Sequence, residues 1–291
     1  MQAGRAVSLP MSAAADPVAD LAERALAEDA PDGDRTSELT IPAGAACAAE
    51  LRSKQAGVLA GTRAALAVFT TAAEHDHTDL AIDAKAGDGD RVSPGDVVLV
   101  LRGNARTILR AERPAINLLA HLSGVATLTR RFVDAAAPAQ VLCTRKTLPG
   151  LRTLEREAVA AGGGSLHRAS LSDAVLIKDN HLRVVGSIVA AVERAGVGGM
   201  PVEVEVETLD ELDEALQAGA ERILLDNPTP DLVRRCVERT GDPRRLEISG
   251  GVSLDSVGAL VAAGARIVSV GALTHSAPSL DLSLEVVAAD G

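Results

Sequence analysis

In the second half of this 291-residue chain, short aliphatic runs end on residues that can grip an anion. Val141–Cys143 is followed by Thr144, Arg145, Lys146 and Thr147. His167 and Arg168 precede Val175–Ile177, which ends on Lys178, Asp179, Asn180 and His181. Glu205 lies within Val202–Val206, and Ile223–Leu225 leads into Asp226 and Asn227. Ser249, Gly250 and Gly251 follow Leu246–Ile248, while Gly271 and Ala272 follow Ile267–Val270. Gathered in one place, Arg145, Lys146, His167, Arg168 and Lys178 would repel one another unless an anion sat among them. A polyanionic ligand is therefore the chemistry they predict, although each one taken singly is just as well a solvated surface charge. The Ser249–Gly251 and Val270–Ala272 segments suit a phosphate. Glycine lets backbone amides come close to it, and a following helix adds the positive end of its dipole. On its own such a glycine pair is an ordinary turn.

The acidic residues allow two readings. Glu203, Glu205 and Glu207 alternate along one run, so their side chains share a face, and burying all three without cations would be costly. One or two are expected to reach the site. Glu205 and Asp226 together offer hard oxygen ligands for a magnesium ion, with a salt bridge to a nearby arginine or lysine as the equal alternative. Lys178 or Lys146 at a strand end is also compatible with Schiff-base chemistry in a barrel aldolase.

Such residues converge only if the runs are strands of one sheet. From Gln140 onward they alternate with alanine-rich helical patterns at a spacing of roughly 20–30 residues, which predicts parallel strands with crossover helices. A β/α barrel fits this rhythm best, because its strand ends meet at one mouth; pattern alone leaves a doubly wound sheet open. The first half reads differently. Asp16-Pro17 opens a helix, a turn-rich stretch covers Ala30 to Ser37, and a strand is expected near Ala48–Lys54. A helix follows over Thr62–Ala73, Pro94-Gly95-Asp96 turns between extended pieces, and a helical stretch runs from Arg106 to Leu122.

Composition narrows the classes. A net charge of −11 repels nucleic acid, so an anionic ligand needs a local basic pocket. No stretch approaches the ~18 apolar residues of a membrane span, and Met1 to Ala15 lacks the core of a signal peptide. The cysteines Cys47, Cys143 and Cys236 have no metal-ligand spacing, which suits a reducing cytoplasm. With Phe69 and Phe132 as the sole aromatics, aliphatic side chains and alanine must fill the core.

Longer motifs carry a family resemblance. Glu112-Arg113-Pro-Ala-Ile-Asn117, Leu122-Ser-Gly-Val-Ala-Thr127, Thr144-Arg-Lys-Thr-Leu-Pro-Gly150, Gly162-Gly-Gly164 with His167-Arg168, and Ile177-Lys-Asp-Asn-His181 stand in order. Leu224-Leu-Asp-Asn227, Ser249-Gly-Gly251 and Ser269-Val-Gly-Ala-Leu-Thr-His275 continue the series. From about Gly33 to Leu284 the chain resembles the quinolinate phosphoribosyltransferases. These enzymes make nicotinate mononucleotide from quinolinate and phosphoribosyl pyrophosphate, with release of carbon dioxide.

The resemblance implies an N-terminal α/β sandwich, an incomplete TIM-like β/α barrel, and a homodimer with shared active sites, a hexamer being the larger alternative. It implies that Arg113, Thr144, Arg145, His167, Arg168 and Lys178 bind the substrates, with Lys146 at the reaction centre. Glu205 and Asp226 would serve ribose and Mg2+, while Ser249, Gly250, Gly251, Val270, Gly271 and Ala272 would hold the 5-phosphate. The expected organisation is a disordered leader over 1–15, with Met11 as an alternative start, the sandwich over 16–125 and the barrel over 126–275. Residues 276–291 would pack back on the first domain. Cys143, Leu166 and Ser170 depart from the aspartate, asparagine and glycine usual in the family. They keep open a paralogue acting on another pyridine carboxylate, or an inactive ligand-binding one.

Overall fold

Pro17 opens α1 (Pro17–Asp29), which buries Val18, Ala22 and Leu26 at helical spacing. The computed structural model describes residues 17–287, so the proposed leader, the Asp16 cap and residues 288–291 lie outside the described residues. The turn-rich stretch contains a short helix, α2 (Arg35–Thr40), because the Asp34 carboxylate accepts the Ser37 N–H at 3.1 Å and caps it. Then come β1 (Ala46–Ser53), β2 (Gly57–Val58), α3 (Thr62–Asp76), β3 (Leu80–Ala84), β4 (Arg91–Val92) and β5 (Val97–Asn104).

Asn104 caps the N–H groups of Arg106 and Thr107 and starts α4 (Ala105–Ala136). This helix does not end at Leu122 as the sequence predicts. It runs on through Ser123-Gly124 for 32 residues in all, with Pro114 inside it. Ser123 is a packing residue: its hydroxyl accepts the Ala60 N–H at 3.0 Å and donates to the Ala60 carbonyl at 3.2 Å.

The second half contains β6 (Gln140–Leu142), α5 (Arg152–Ala161), β7 (Val175–Ile177), α6 (Asp179–Val185), α7 (Ile188–Gly196) and β8 (Val202–Val206). It continues with α8 (Leu209–Gln217), β9 (Arg222–Asp226), α9 (Pro230–Thr240), β10 (Leu246–Ser249), α10 (Leu254–Ala262), β11 (Ile267–Ser269), α11 (Ala272–His275) and β12 (Leu282–Val287). All the predicted strands of this half join one parallel sheet in the order β6-β11-β10-β9-β8-β7. The first strand lies beside the last, and β6 and β7, adjacent in sequence, are the two edges. A sheet in this order curls so that its edges approach, which makes an open barrel and not a doubly wound sheet.

The first half builds an antiparallel sheet, order β12-β1-β5-β3. Its β12 comes from the end of the chain and pairs with β1 from Ala48↔Val287 to Ser53↔Leu282. Two cores result. One holds Phe69, Leu99, Leu101 and Ile108 under this sheet, and the other holds Phe132, Val204, Ile223 and Leu246 between the barrel and its helices. α4 feeds both, with Ile108 and Leu119 in the first and Leu122, Val125 and Phe132 in the second. It passes unbroken through the border expected at residues 125 and 126.

Along β8, period two decides which chemistry faces where. Val202, Val204 and Val206 pack outward into the helical layer, leaving Glu203 and Glu205 on the inner face. The barrel interior is therefore charged in its upper part, which positions the site.

Candidate active site

The strand ends enclose a cavity of about 610 Å³. It is lined by Thr144, Arg145, Lys146, His167, Arg168 and Lys178, and by the carboxylates Glu205 and Asp226. Ser249, Gly250, Gly251, Val270, Gly271 and Ala272 complete the wall. Every barrel residue assigned a binding or catalytic role from sequence thus reaches one space, whereas the strand-end residues Thr147, Asp179, Asn180, His181 and Asn227 do not line it. Nor does Arg113: it sits on α4, its side chain 62% exposed, and its ion-pair partner is the adjacent Glu112 at 3.8 Å.

Local structure fixes the Thr144–Thr147 turn. The Lys146 N–H donates to Thr144 Oγ1 at 3.1 Å, and the Lys146 carbonyl accepts the Thr274 hydroxyl at 2.7 Å. Gly271 packs closely beside it: a Cβ there would lie 3.1 Å from Lys146 Cδ and from His275 Nε2, so either side chain would have to shift slightly. Beyond the turn, the fully buried Glu155 accepts the Leu148 N–H at 3.1 Å and meets His121 Nε2 at 2.8 Å. Arg145 Nε is buried without a partner among the described residues. A buried donor left in this state is costly unless a ligand completes it.

His167 turns away from solvent. Its Nε2 lies 3.4 Å from Glu203 Oε2 and 3.5 Å from Glu247 Oε1, while its Nδ1 accepts the Arg168 N–H at 2.8 Å. Hydrogen bonds to Glu203, then Glu247, push the imidazole up from its ordinary 6.5. The Arg168 amide, which needs the Nδ1 lone pair, opposes the second ring proton; both interactions require the proton on Nε2. Burial, and after it the charge of Arg145, lowers the Arg168 guanidinium from its usual value. Arg168 Nη1 is anchored on the Ala174 carbonyl at 3.0 Å.

On the acidic side, Lys178 Nζ forms an ion pair with Glu205, so the salt-bridge alternative for that carboxylate is realised. Asp226 has no ion pair among the described residues; its Oδ2 accepts from Asn227 Nδ2 at 2.8 Å. Of the alternating acids, Glu203 and Glu205 point inward and Glu207 is exposed. The oxygen donors of Glu205 and Asp226, on neighbouring strands and lining the same cavity, have the chemistry that Mg2+ requires. The three-residue group with metal-binding geometry among the described residues is a different one, His167, Glu203 and Glu247.

Sequence reasoning overlooked Glu247, Leu176, Leu224, Val252, Ser269 and His275 as lining residues. A glutamate inside the short apolar run Leu246–Ile248 was the available signal, since a buried carboxylate needs a partner. Cys143, Leu166 and Ser170 do not line the cavity. Cys143 is fully buried with Arg156 Nη1 3.8 Å from its sulfur, Leu166 is exposed, and Ser170 donates its hydroxyl to Asp173.

Two family models together match almost all the described residues: Quinolinate phosphoribosyl transferase, N-terminal domain, over 34–123, and the C-terminal domain of the same name over 125–285. The chain is 42% identical over 264 residues to a probable nicotinate-nucleotide pyrophosphorylase (carboxylating) of Bacillus subtilis, covering 89% of this chain and 90% of the relative. It is 41% identical to the Mycobacterium leprae enzyme of that name, covering 93% and 98%. The nicotinate-nucleotide pyrophosphorylase structure from Francisella tularensis superposes with a TM-score of 0.84 at 35% identity, over 93% of this chain and 96% of that one.

Proposed function

The chain belongs to the quinolinate phosphoribosyltransferase family and is a carboxylating nicotinate-nucleotide pyrophosphorylase of NAD biosynthesis, and from that premise we propose how its barrel mouth works. Quinolinate lies against Arg145, His167, Arg168 and Lys178, and phosphoribosyl pyrophosphate spans Lys146, Glu205, Asp226 and the glycine segments. The observation that carries this reading is the single cavity shared by the cationic residues, the unpartnered Arg145 Nε and both glycine segments. A dicarboxylate and a 5-phosphate both need that charge.

In the first step the bond from ribose C1 to pyrophosphate breaks, pyrophosphate leaving with the electron pair, and the pyridine nitrogen bonds to C1. Cationic side chains offset the charge gathering on pyrophosphate, and the carboxylates of Glu205 and Asp226 face the positive charge developing on ribose. In the second step the adjacent carboxylate leaves as carbon dioxide. Its electrons stay on the ring carbon, where the new pyridinium nitrogen stabilises them until a proton is taken up. Glu205 and Asp226 would hold Mg2+, which when bound neutralises phosphate oxygens. A quinolinate carboxylate binding to Lys178 would release it from Glu205.

The aldolase alternative lacks support. Lys178 is committed to an ion pair, and Lys146 is exposed at the mouth without the apolar enclosure that would desolvate a Schiff-base lysine, while the family assignment points to phosphoribosyl transfer. The position of Cys143, Leu166 and Ser170 outside the cavity lining favours quinolinate over another pyridine carboxylate. A homodimer that supplies Arg113 from its second chain completes the reading, with a hexamer as a larger assembly. No helix among the described residues is long and apolar enough to cross a membrane, and the free thiols Cys47, Cys143 and Cys236 suit a reducing cytoplasm.

The test is carbon dioxide release from labelled quinolinate. It should require both phosphoribosyl pyrophosphate and Mg2+, fall by about 100-fold or more in Asp226→Ala, and be absent with nicotinate. Full activity in excess chelator would remove the metal from this account, and turnover of another pyridine carboxylate in preference to quinolinate would change the substrate.

A further inference from the structure

We propose that Glu203 and Glu247 are positioning residues: through the His167 ring they fix Arg168, and so set the affinity for the pyridine dicarboxylate. The inference rests on the quinolinate reading of the mouth. β8 and β10 flank β9 in the sheet, yet a carboxylate from each converges on one imidazole nitrogen, at 3.4 and 3.5 Å. Both residues are nearly inaccessible, Glu203 at 7% and Glu247 at 1% exposure. Two buried carboxylates this close are unfavourable unless a donor is shared between them, and His167 Nε2 is placed to be that donor.

Among the described residues, neither side chain bonds anything but His167. Within that set, Glu203 Oε1 and Glu247 Oε2 have no hydrogen-bond partner. They brace no backbone and cap no helix. What they do is orient the ring. With its proton directed at them from Nε2, the opposite nitrogen presents a lone pair to the Arg168 amide, and the ring becomes a bridge from the carboxylates to the backbone that carries the guanidinium. The carboxylates also balance charge. Glu203 attracts the Arg168 cation that Arg145 repels, which lets two guanidinium groups share the wall before substrate arrives.

Glu203→Gln and Glu247→Gln keep the volume and remove the charge. In steady-state kinetics each should raise the quinolinate KM by about tenfold, with kcat and the KM for phosphoribosyl pyrophosphate changing by less than about threefold. Glu203→Asp should recover part of the affinity. Unchanged quinolinate KM in folded variants, or an equal loss for both substrates, would overturn the inference. Should the variants fail to fold, 15N NMR of the wild-type histidine rings decides: at neutral pH His167 is expected to carry its proton on Nε2 and to have a bare Nδ1, and a proton on Nδ1 or a bare Nε2 would overturn the bridge. Wild-type protein that does not consume quinolinate would instead overturn the site reading, and this inference with it.

Discussion

His167 is surrounded by opposing charges: Glu203 on β8 and Glu247 on β10, Arg168 beside it with Arg145 beyond, and Arg156 on α5, which donates to the His167 carbonyl at 2.7 Å. The carboxylates pull the ring's protonation up, while the Arg168 amide, which occupies the Nδ1 lone pair, opposes the second proton. The bond at Nδ1 exists only while the ring carries its single proton on Nε2, so it is lost as pH falls and the ring becomes imidazolium. The quinolinate KM is therefore expected to be lowest at alkaline pH and to rise as pH falls. A KM that instead rises as pH climbs would show that the charged ring serves the site and the bridge to Arg168 does not. Cys143 allows a second residue-level prediction. A carboxylate placed there would meet the Arg156 guanidinium, already 3.8 Å from the sulfur, so its burial is offset by a charge partner. Cys143→Asp should be soluble and keep kcat/KM within about tenfold of wild type in initial-rate assays; loss of quinolinate turnover alone would mean the wall has been rebuilt around the thiol. At this scale the strand-end rule found the cations because a barrel sends strand ends to one place. Glu247 escaped it, being inside a strand, where only its inward period reveals it.

The elements tell which sequence signals were ambiguous. Short aliphatic runs in the second half became β6 to β11 with bounds shifted by a residue or so, since each needs burial on both faces of a parallel sheet. β3 had no such signal: most of Leu80–Ala84 is exposed on the edge of the antiparallel sheet, so its apolar pattern is weak. Ser123-Gly124 resembles a helix stop, yet in α4 the pair lets neighbouring chain come close, with a Cβ on Gly124 falling 2.2 Å from the Pro278 carbonyl oxygen. Small residues mark contact as often as termination. The loop after β10 shows the same principle at the site. Gly250 has φ of +81°, and a Cβ there would lie 2.5 Å from the side-chain oxygens Oδ1 of both Asp226 and Asn227. Gly250→Ala is expected to lose about 1–2 kcal/mol of stability in denaturant titration. Because the displaced carboxylate is Asp226, the KM for phosphoribosyl pyrophosphate should rise more than that for quinolinate. Equal effects on both would mean that the loop serves the fold and not the phosphate.

At the scale of the whole molecule, one cation stands apart. Arg113 shares α4 with both cores but lies in the stretch that belongs to the first domain, outside the cavity of its own chain, with a mostly exposed side chain. An exposed guanidinium whose contact among the described residues is a neighbouring glutamate at 3.8 Å remains available for the paired hydrogen bonds that carboxylates accept. If a second copy brings that guanidinium to the mouth, each complete site combines Arg113 of one chain with Lys146 of the other. Arg113 carries no strand-end signal, because it lies on a helix ahead of the barrel; the motif around Glu112-Arg113 is what marks it in the sequence. Homodimers of Arg113→Ala and of Lys146→Ala should each lose activity by about 100-fold or more. Subunit exchange between them should form heterodimers with one doubly defective site and one intact site, and activity should return to about a quarter of wild type at equal, random mixing. The control is wild-type protein carried through the same exchange, with heterodimers verified by mass spectrometry. Heterodimers as inactive as their parents would place Arg113 and Lys146 in the same site of one chain, or Arg113 in none.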